Sequence, residues 1–124
     1  MVETGERFQV GDTTFEWVNF FKPNEVFIEG TEMVSRAVAL GAILGGDYVR
    51  SILDHSNMIP ESYNEYDIVF AGARLNTMTR GLGYGHHCEF IAYLRKIRGL
   101  WRLCYGSVAF DWDLRTRLLR RFHS

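Results

Sequence analysis

Residues 89–97 and 100–108 are two β-prone runs separated only by Arg98-Gly99. So short a break between such runs leaves room for a tight hairpin turn and little else. In the second run Trp101, Leu103 and Tyr105 alternate with Arg102 and Cys104. One face of that strand is therefore apolar and is expected to point into the core, close to Phe70 and Leu40. A two-residue turn also sets the register, placing Tyr93 opposite Cys104 and Cys88 opposite Ala109. That register keeps the two cysteines apart, and both thiols are expected to be free. A lone hairpin is at best marginal in water, so the rest of the chain has to cover this one.

The remainder supplies such a cover. Phe8 to Val10 and residues 14–21 flank Gly11-Asp12, which predicts a second hairpin with Phe15 and Trp17 on one face. Residues 25–29 are short and β-prone, and suit an approach loop equally well. A helix is predicted from Thr31, a suitable N-cap, with Met33, Ala37, Leu40, Gly41 and Leu44 on one face and Gly45-Gly46 as its stop. Asp47 then caps a shorter helix carrying Val49, Ile52 and Leu53. Ile68 to Ala71 reads as a central strand, and the glycine-rich stretch 76–85 as a mobile connection. From Asp111 a last helix is predicted, with Leu114, Leu118, Leu119 and Phe122 as its stripe. Strand signals cluster and do not alternate with helices. The expected class is therefore α+β: a mostly antiparallel sheet of about five strands, with a helical hairpin and a C-terminal helix packed on one face. At 124 residues this is one domain, 1–124, large enough to hold a core without disulfides or a structural metal.

Charge is divided along the chain. Residues 1–79 carry five basic and twelve acidic side chains, and residues 80–124 carry nine basic and three acidic. Twelve of the fourteen cations are Arg, whose planar fork suits carboxylate and phosphate. Either the two halves neutralise one another within the fold, or the basic half forms a working face. On the second reading the binding residues are Arg80, Tyr84, Arg95, Arg98, Arg102, Arg117 and Arg121. What decides is whether these arginines gather on one face.

Motifs for chemistry are fragmentary. A helix-turn-helix register on Ala37 and Gly41 puts Asp47 and Arg50 where buried aliphatics belong. Gly81, Gly83 and Gly85 precede a strand, whereas phosphate-binding loops lead into a helix. His86, His87, Cys88 and Glu89 are consecutive, so a strand would send neighbours to opposite faces, and zinc-type spacing is absent. A small enzyme or metal site around His86, His87 and Cys88 stays as a second alternative. No complete set of nucleophile, base and orienting residue stands out, and the expectation is a non-enzymatic protein with no cofactor and no metal. Tyr63, Tyr66, Tyr84 and Trp112 stand at element edges, where they can stack on a ligand or lid the core.

Four marks occur in order: R-A-x-x-L-G (Arg36, Ala37, Leu40, Gly41), I-P (Ile59, Pro60), Y-x-x-V-F-x-G (Tyr66, Val69, Phe70, Gly72) and G-x-W-x-L (Gly99, Trp101, Leu103). Across roughly residues 27–121 the chain resembles small uncharacterised proteins that recur in reduced-genome bacteria sampled from the environment. The resemblance implies a compact α+β domain and carries no activity, cofactor or catalytic residue. The longest run free of polar side chains, 37–46, is too short to span a bilayer, and with neither an apolar run nor a basic start in its first eight residues the chain is expected to carry no export signal. The expectation is a cytoplasmic binding module for a protein partner with an acidic surface. A nucleic-acid or nucleoprotein binder, such as a mobile-element inhibitor, is the alternative, and no membrane partner is expected.

Overall fold

The computed structural model describes residues 2–81 and 84–123, with side chains throughout except at 77–88. Among the described residues there are eight strands and two α-helices. They run β1 (Phe8–Val10), β2 (Thr13–Val18), β3 (Phe27–Glu29), α1 (Gly30–Ala39), α2 (Gly46–Asp54), two 3-10 turns (Ser56–Met58 and Glu61–Tyr63), β4 (Asp67–Gly81), β5 (Tyr84–Ile97), β6 (Leu100–Ser107), β7 (Asp111–Asp113) and β8 (Thr116–Arg121). The class is α+β. The main sheet has the order β1-β2-β8-β4-β5-β6, and β3 pairs with β7 in a separate two-stranded sheet. The main sheet is mixed, since β8 runs parallel to β4 while the other neighbouring pairs are antiparallel.

Both hairpins form where their turn residues sit. Arg98 (φ 52°) and Gly99 (φ 81°) make the two-residue turn, and Tyr93 lies opposite Cys104. The β5–β6 ladder ends at Phe90 opposite Ser107, while Cys88 pairs with Thr77 on β4. Cys104 is a free thiol. The glycine-rich connection is shorter than expected. Residues 76–81 and 84–85 continue β4 and β5, with Gly81 opposite Tyr84. Thr77 and Thr79 favour extended backbone, and glycine weakens a strand without forbidding it.

Period-two alternation along β4 divides the apolar residues between two cores. Ile68 and Phe70 face one side, with Phe15, Trp17, Leu94, Leu119 and the α2 residues Val49 and Ile52. Val69 and Ala71 face the other, with Ile91, Leu118, Trp112 and the α1 residues Met33 and Ala37. The two helices therefore lie on opposite faces of the sheet, and the expected one-sided helical hairpin is corrected. Leu40 and Phe70 sit in different cores for the same reason.

The first helix also ends earlier than Gly45-Gly46. Gly41 adopts φ +68°, its N–H donates to Val38 O, and the Ala42 N–H donates to Ala37 O. That six-residue closure is a Schellman stop, which needs a residue tolerant of the left-handed region. The N-cap position falls on Glu29, without a side-chain cap bond, and not on Thr31.

The predicted C-terminal helix is β7 and β8. Its leucine spacing fits a helical stripe, yet Thr116, Arg117, Leu118 and Leu119 are buried in succession. That is the pattern of a strand covered on both faces. Leu118 enters one core and Leu119 the other, between β2 and β4.

The connector 40–45 takes the chain from one face to the other, with Ala42 in one core and Leu44 in the other. It passes where β4 leaves β8, whose pairing with β4 ends at Val69 opposite Leu118. There the Gly72 N–H donates to Leu44 O at 2.9 Å, and a Cβ on Gly72 would come within 2.3 Å of Ile43 O. We expect Leu119→Ala to cost about 2–5 kcal/mol and Gly72→Ala about 1–3 kcal/mol, whereas Leu103→Ala on the exposed strand should cost under about 1 kcal/mol. Urea denaturation of the three variants checks the ranking, and equal losses would contradict the two-core arrangement.

Candidate functional site

The β5–β6 hairpin presents a partly uncovered surface because α2 is short, packs mainly on β4 and only touches β6. Val49 and Ile52 of α2 are buried, while Leu53 is only partly covered. The residues beneath the helix are small, Gly72, Ala73 and Ala92, so a cleft of about 450 Å³ opens between α2 and β6. Leu103 and Tyr105 wall it on the β6 side, and Arg50, Asp54 and Arg74 lie around it. Trp101, Leu103 and Tyr105 share the face expected from their alternation. Trp101 packs against the core, but Leu103 and Tyr105 are 40% and 48% exposed. The expected burial of Leu103 is thus corrected. Alternation shows which face a side chain occupies, and only the neighbouring helix decides whether that face is covered.

β6 is also an edge strand, paired on one side with β5. Its C-terminal end is occupied, since the Trp112 ring lies against Gly106 and the Trp112 Nε1–H donates to Ser107 O. The open stretch is therefore 100–105. The opposite edge, β1, has three residues.

The structure separates the arginines predicted to bind. Arg95 donates from Nε and Nη2 to Asp67 at 2.8 and 2.7 Å, and this carboxylate holds its guanidinium above the usual arginine range. Asp67 is nearly buried and also lies 3.7 Å from Arg115. Arg117 is buried between the Trp17 and Tyr66 rings and donates from Nη1 to Leu114 O and Thr116 O. Arg120, not singled out by the sequence, pairs with the buried Glu16 at 2.9 Å and also donates to Leu40 O. Arg98 and Arg102 are exposed, the first in the turn before the open stretch of β6 and the second within it, and make no ion pair among the described residues. Arg121 is exposed on β8, three strands from β6. Strand alternation puts Arg95 and Arg102 on the α1 face and Arg117 and Arg121 on the α2 face. The side chains of Arg80 and Tyr84 lie outside the described set, as do those of His86, His87 and Cys88.

Of the edge aromatics, Tyr63 and Trp112 are buried against the two cores. Tyr63 is fully buried, accepts the Trp17 backbone N–H and donates to Glu6 O, and burial pushes its phenol well above the usual range. Trp112 is buried, with its ring edge-on to Tyr93.

A larger cleft, about 700 Å³, lies between α1 and residues 19–25. Its Arg36 is already engaged: it donates to both Glu25 oxygens at 2.6 and 2.9 Å, to Glu32 and to Phe20 O. Among the described residues no group of three His, Cys, Asp or Glu side chains could hold a metal ion. No helix is long and apolar enough to cross a membrane among the same residues. No family model, curated protein or solved structure matches the chain.

Charge reversal should distinguish engaged from free arginines. Arg98→Glu and Arg102→Glu should each leave stability within about 0.5 kcal/mol, as exposed sites do. Asp67→Ala strands Arg95 and Arg115 and should cost more, about 1–3 kcal/mol given their partial exposure. Denaturant titration of the three variants compares them. Hydrogen bonds from Arg36 and then from the Lys22 N–H pull the Glu25 carboxyl down to about 2. Because the folded value is depressed, its stabilisation is full above the unfolded carboxyl range near 4.3 and is lost as pH falls toward 2. The stability gap between wild type and Glu25→Gln should therefore close between about pH 5 and pH 2.

Proposed function

We propose that this protein is a cytoplasmic binding module, working without a cofactor, that docks an acidic protein segment on the surface shared by β6 and α2. The observation that carries the reading is the pairing of two features on one exposed strand. An apolar stripe, Leu103 and Tyr105, stands beside a cleft, and two arginines without carboxylate partners among the described residues lie next to it, Arg98 in the adjoining turn and Arg102 on the other face of the strand. Apolar contact supplies affinity, and the unpaired cations select an acidic partner. Nucleic acid fits less well. Arg95, Arg117 and Arg120 are held by protein groups, and the remaining cations are too dispersed to follow a phosphate backbone. The free Cys104 thiol is in keeping with a reducing compartment.

Anisotropy titration with a fluorescent Glu- and Leu-rich peptide, and separately with a duplex and a single-stranded oligonucleotide, tests this reading. Peptide binding should weaken with salt and should fall about tenfold or more in the Arg98→Glu/Arg102→Glu double variant. Oligonucleotide binding with a log–log salt slope steeper than about −3, together with no peptide binding, would favour the nucleic-acid reading instead.

A further inference from the structure

Strand geometry lets the partner be described more closely, resting on the reading just given. The open stretch of β6 shows two unlike faces. Toward α2 stand Trp101, Leu103 and Tyr105, next to Leu53 and the cleft. Toward α1 stand Leu100, Arg102 and Cys104, beside the Arg95–Asp67 pair across the ladder. The outer backbone groups of 100–105 have no strand beside them among the described residues. Unpaired edge groups are a template for another strand, and natural edges are usually short or blocked. Here the edge is eight residues long, and its charge is confined to one face and the turn.

We propose that β6 binds by strand addition, taking an extended acidic segment in which apolar and acidic residues alternate. The alternation follows from the pleat. A strand added beside 100–105 sends every second side chain to the α2 face, where Trp101, Leu103 and Tyr105 offer apolar contact. The intervening side chains meet Arg102. The acidic residues belong toward the turn, near Arg98 and Arg102, because Asp111 lies past the other end of β6. Main-chain hydrogen bonds hold such a ligand, and the two faces choose its sequence.

A second copy of the chain serves less well. Antiparallel pairing of β6 with itself about Arg102 sets the two Arg102 side chains directly opposite. Pairing about Leu103 sets them diagonal. Like charges at either position destabilise a ladder.

The test compares eight-residue peptides, matched in length to β6. One alternates Val with Glu. A second has the same composition with Val and Glu in two blocks. A third is the alternating peptide with every second backbone amide N-methylated, made in both phases. Binding is followed by anisotropy and by amide exchange in 100–105. The alternating peptide should bind and protect outward amides of β6. Blocking the sequence, or methylating the ladder-forming phase, should weaken binding about tenfold, while methylating the other phase should not. Equal binding of all peptides, still abolished by Arg98→Glu/Arg102→Glu, would overturn strand addition and leave the acidic-partner reading standing. No binding of any acidic peptide would overturn both. A concentration-dependent dimer that buries 100–105, seen by sedimentation and exchange, would assign the edge to a second copy and overturn the proposal.

Discussion

The sheet depends on the place where β4 parts from β8. Up to Val69 the two strands are paired in parallel, and beyond it the connector between α1 and α2 occupies the opening. Gly72 makes this passage workable, because its N–H reaches Leu44 O and the Ile43 carbonyl lies where a side chain would begin. With the chain passing through, each helix can cover a different face, and both faces of the central strands are buried. The consecutive buried residues of β8 are a consequence, since a central strand with two covered faces turns neither face to solvent.

Electrostatics reinforce that arrangement. Asp67 and Glu16 belong to the acidic first part of the chain, and both are nearly buried at strand positions. Asp67 receives Arg95 and lies near Arg115, while Glu16 receives Arg120 and Arg7. Much of the apparent charge division along the sequence is thus settled within the fold. A carboxylate at such depth needs a charged hydrogen-bonding partner, and the bidentate Arg95 supplies one. Two of the arginines without an ion pair among the described residues, Arg98 and Arg102, stand at the sheet edge beside the uncovered apolar stripe. The surface proposed for binding is what remains after the core and its ion pairs are complete.

Several features were legible locally. The turn at Arg98-Gly99, the pairing of Tyr93 with Cys104 and the shared face of Phe15 and Trp17 follow from turn chemistry and period two. The α2 stripe of Val49 and Ile52 follows from helical period. The segment 111–122 was misread because leucines four and five apart suit a helix as well as a doubly covered strand. Nothing within that window says that β2 and β4 stand on either side. Leu103 was misplaced for a related reason: its face was right, but the length of α2 left that face open. Arg117 looked like a surface cation until Trp17 and Tyr66 closed over it.

The sequence by itself determined the class, the turns at Gly11-Asp12 and Arg98-Gly99, the places of the first two helices, and which side chains share a face within the hairpin strands and α2. Those properties depend on backbone preference and on spacing over a few residues. Only the tertiary structure decided that the helices lie on opposite faces, that the tail is a central strand, and which arginines remain free. Those outcomes depend on contacts between distant segments, such as Gly72 with Leu44, Asp67 with Arg95 and Glu16 with Arg120. Burial and ion pairing are properties of neighbourhoods in space, and the order of residues along the chain constrains them only through the fold.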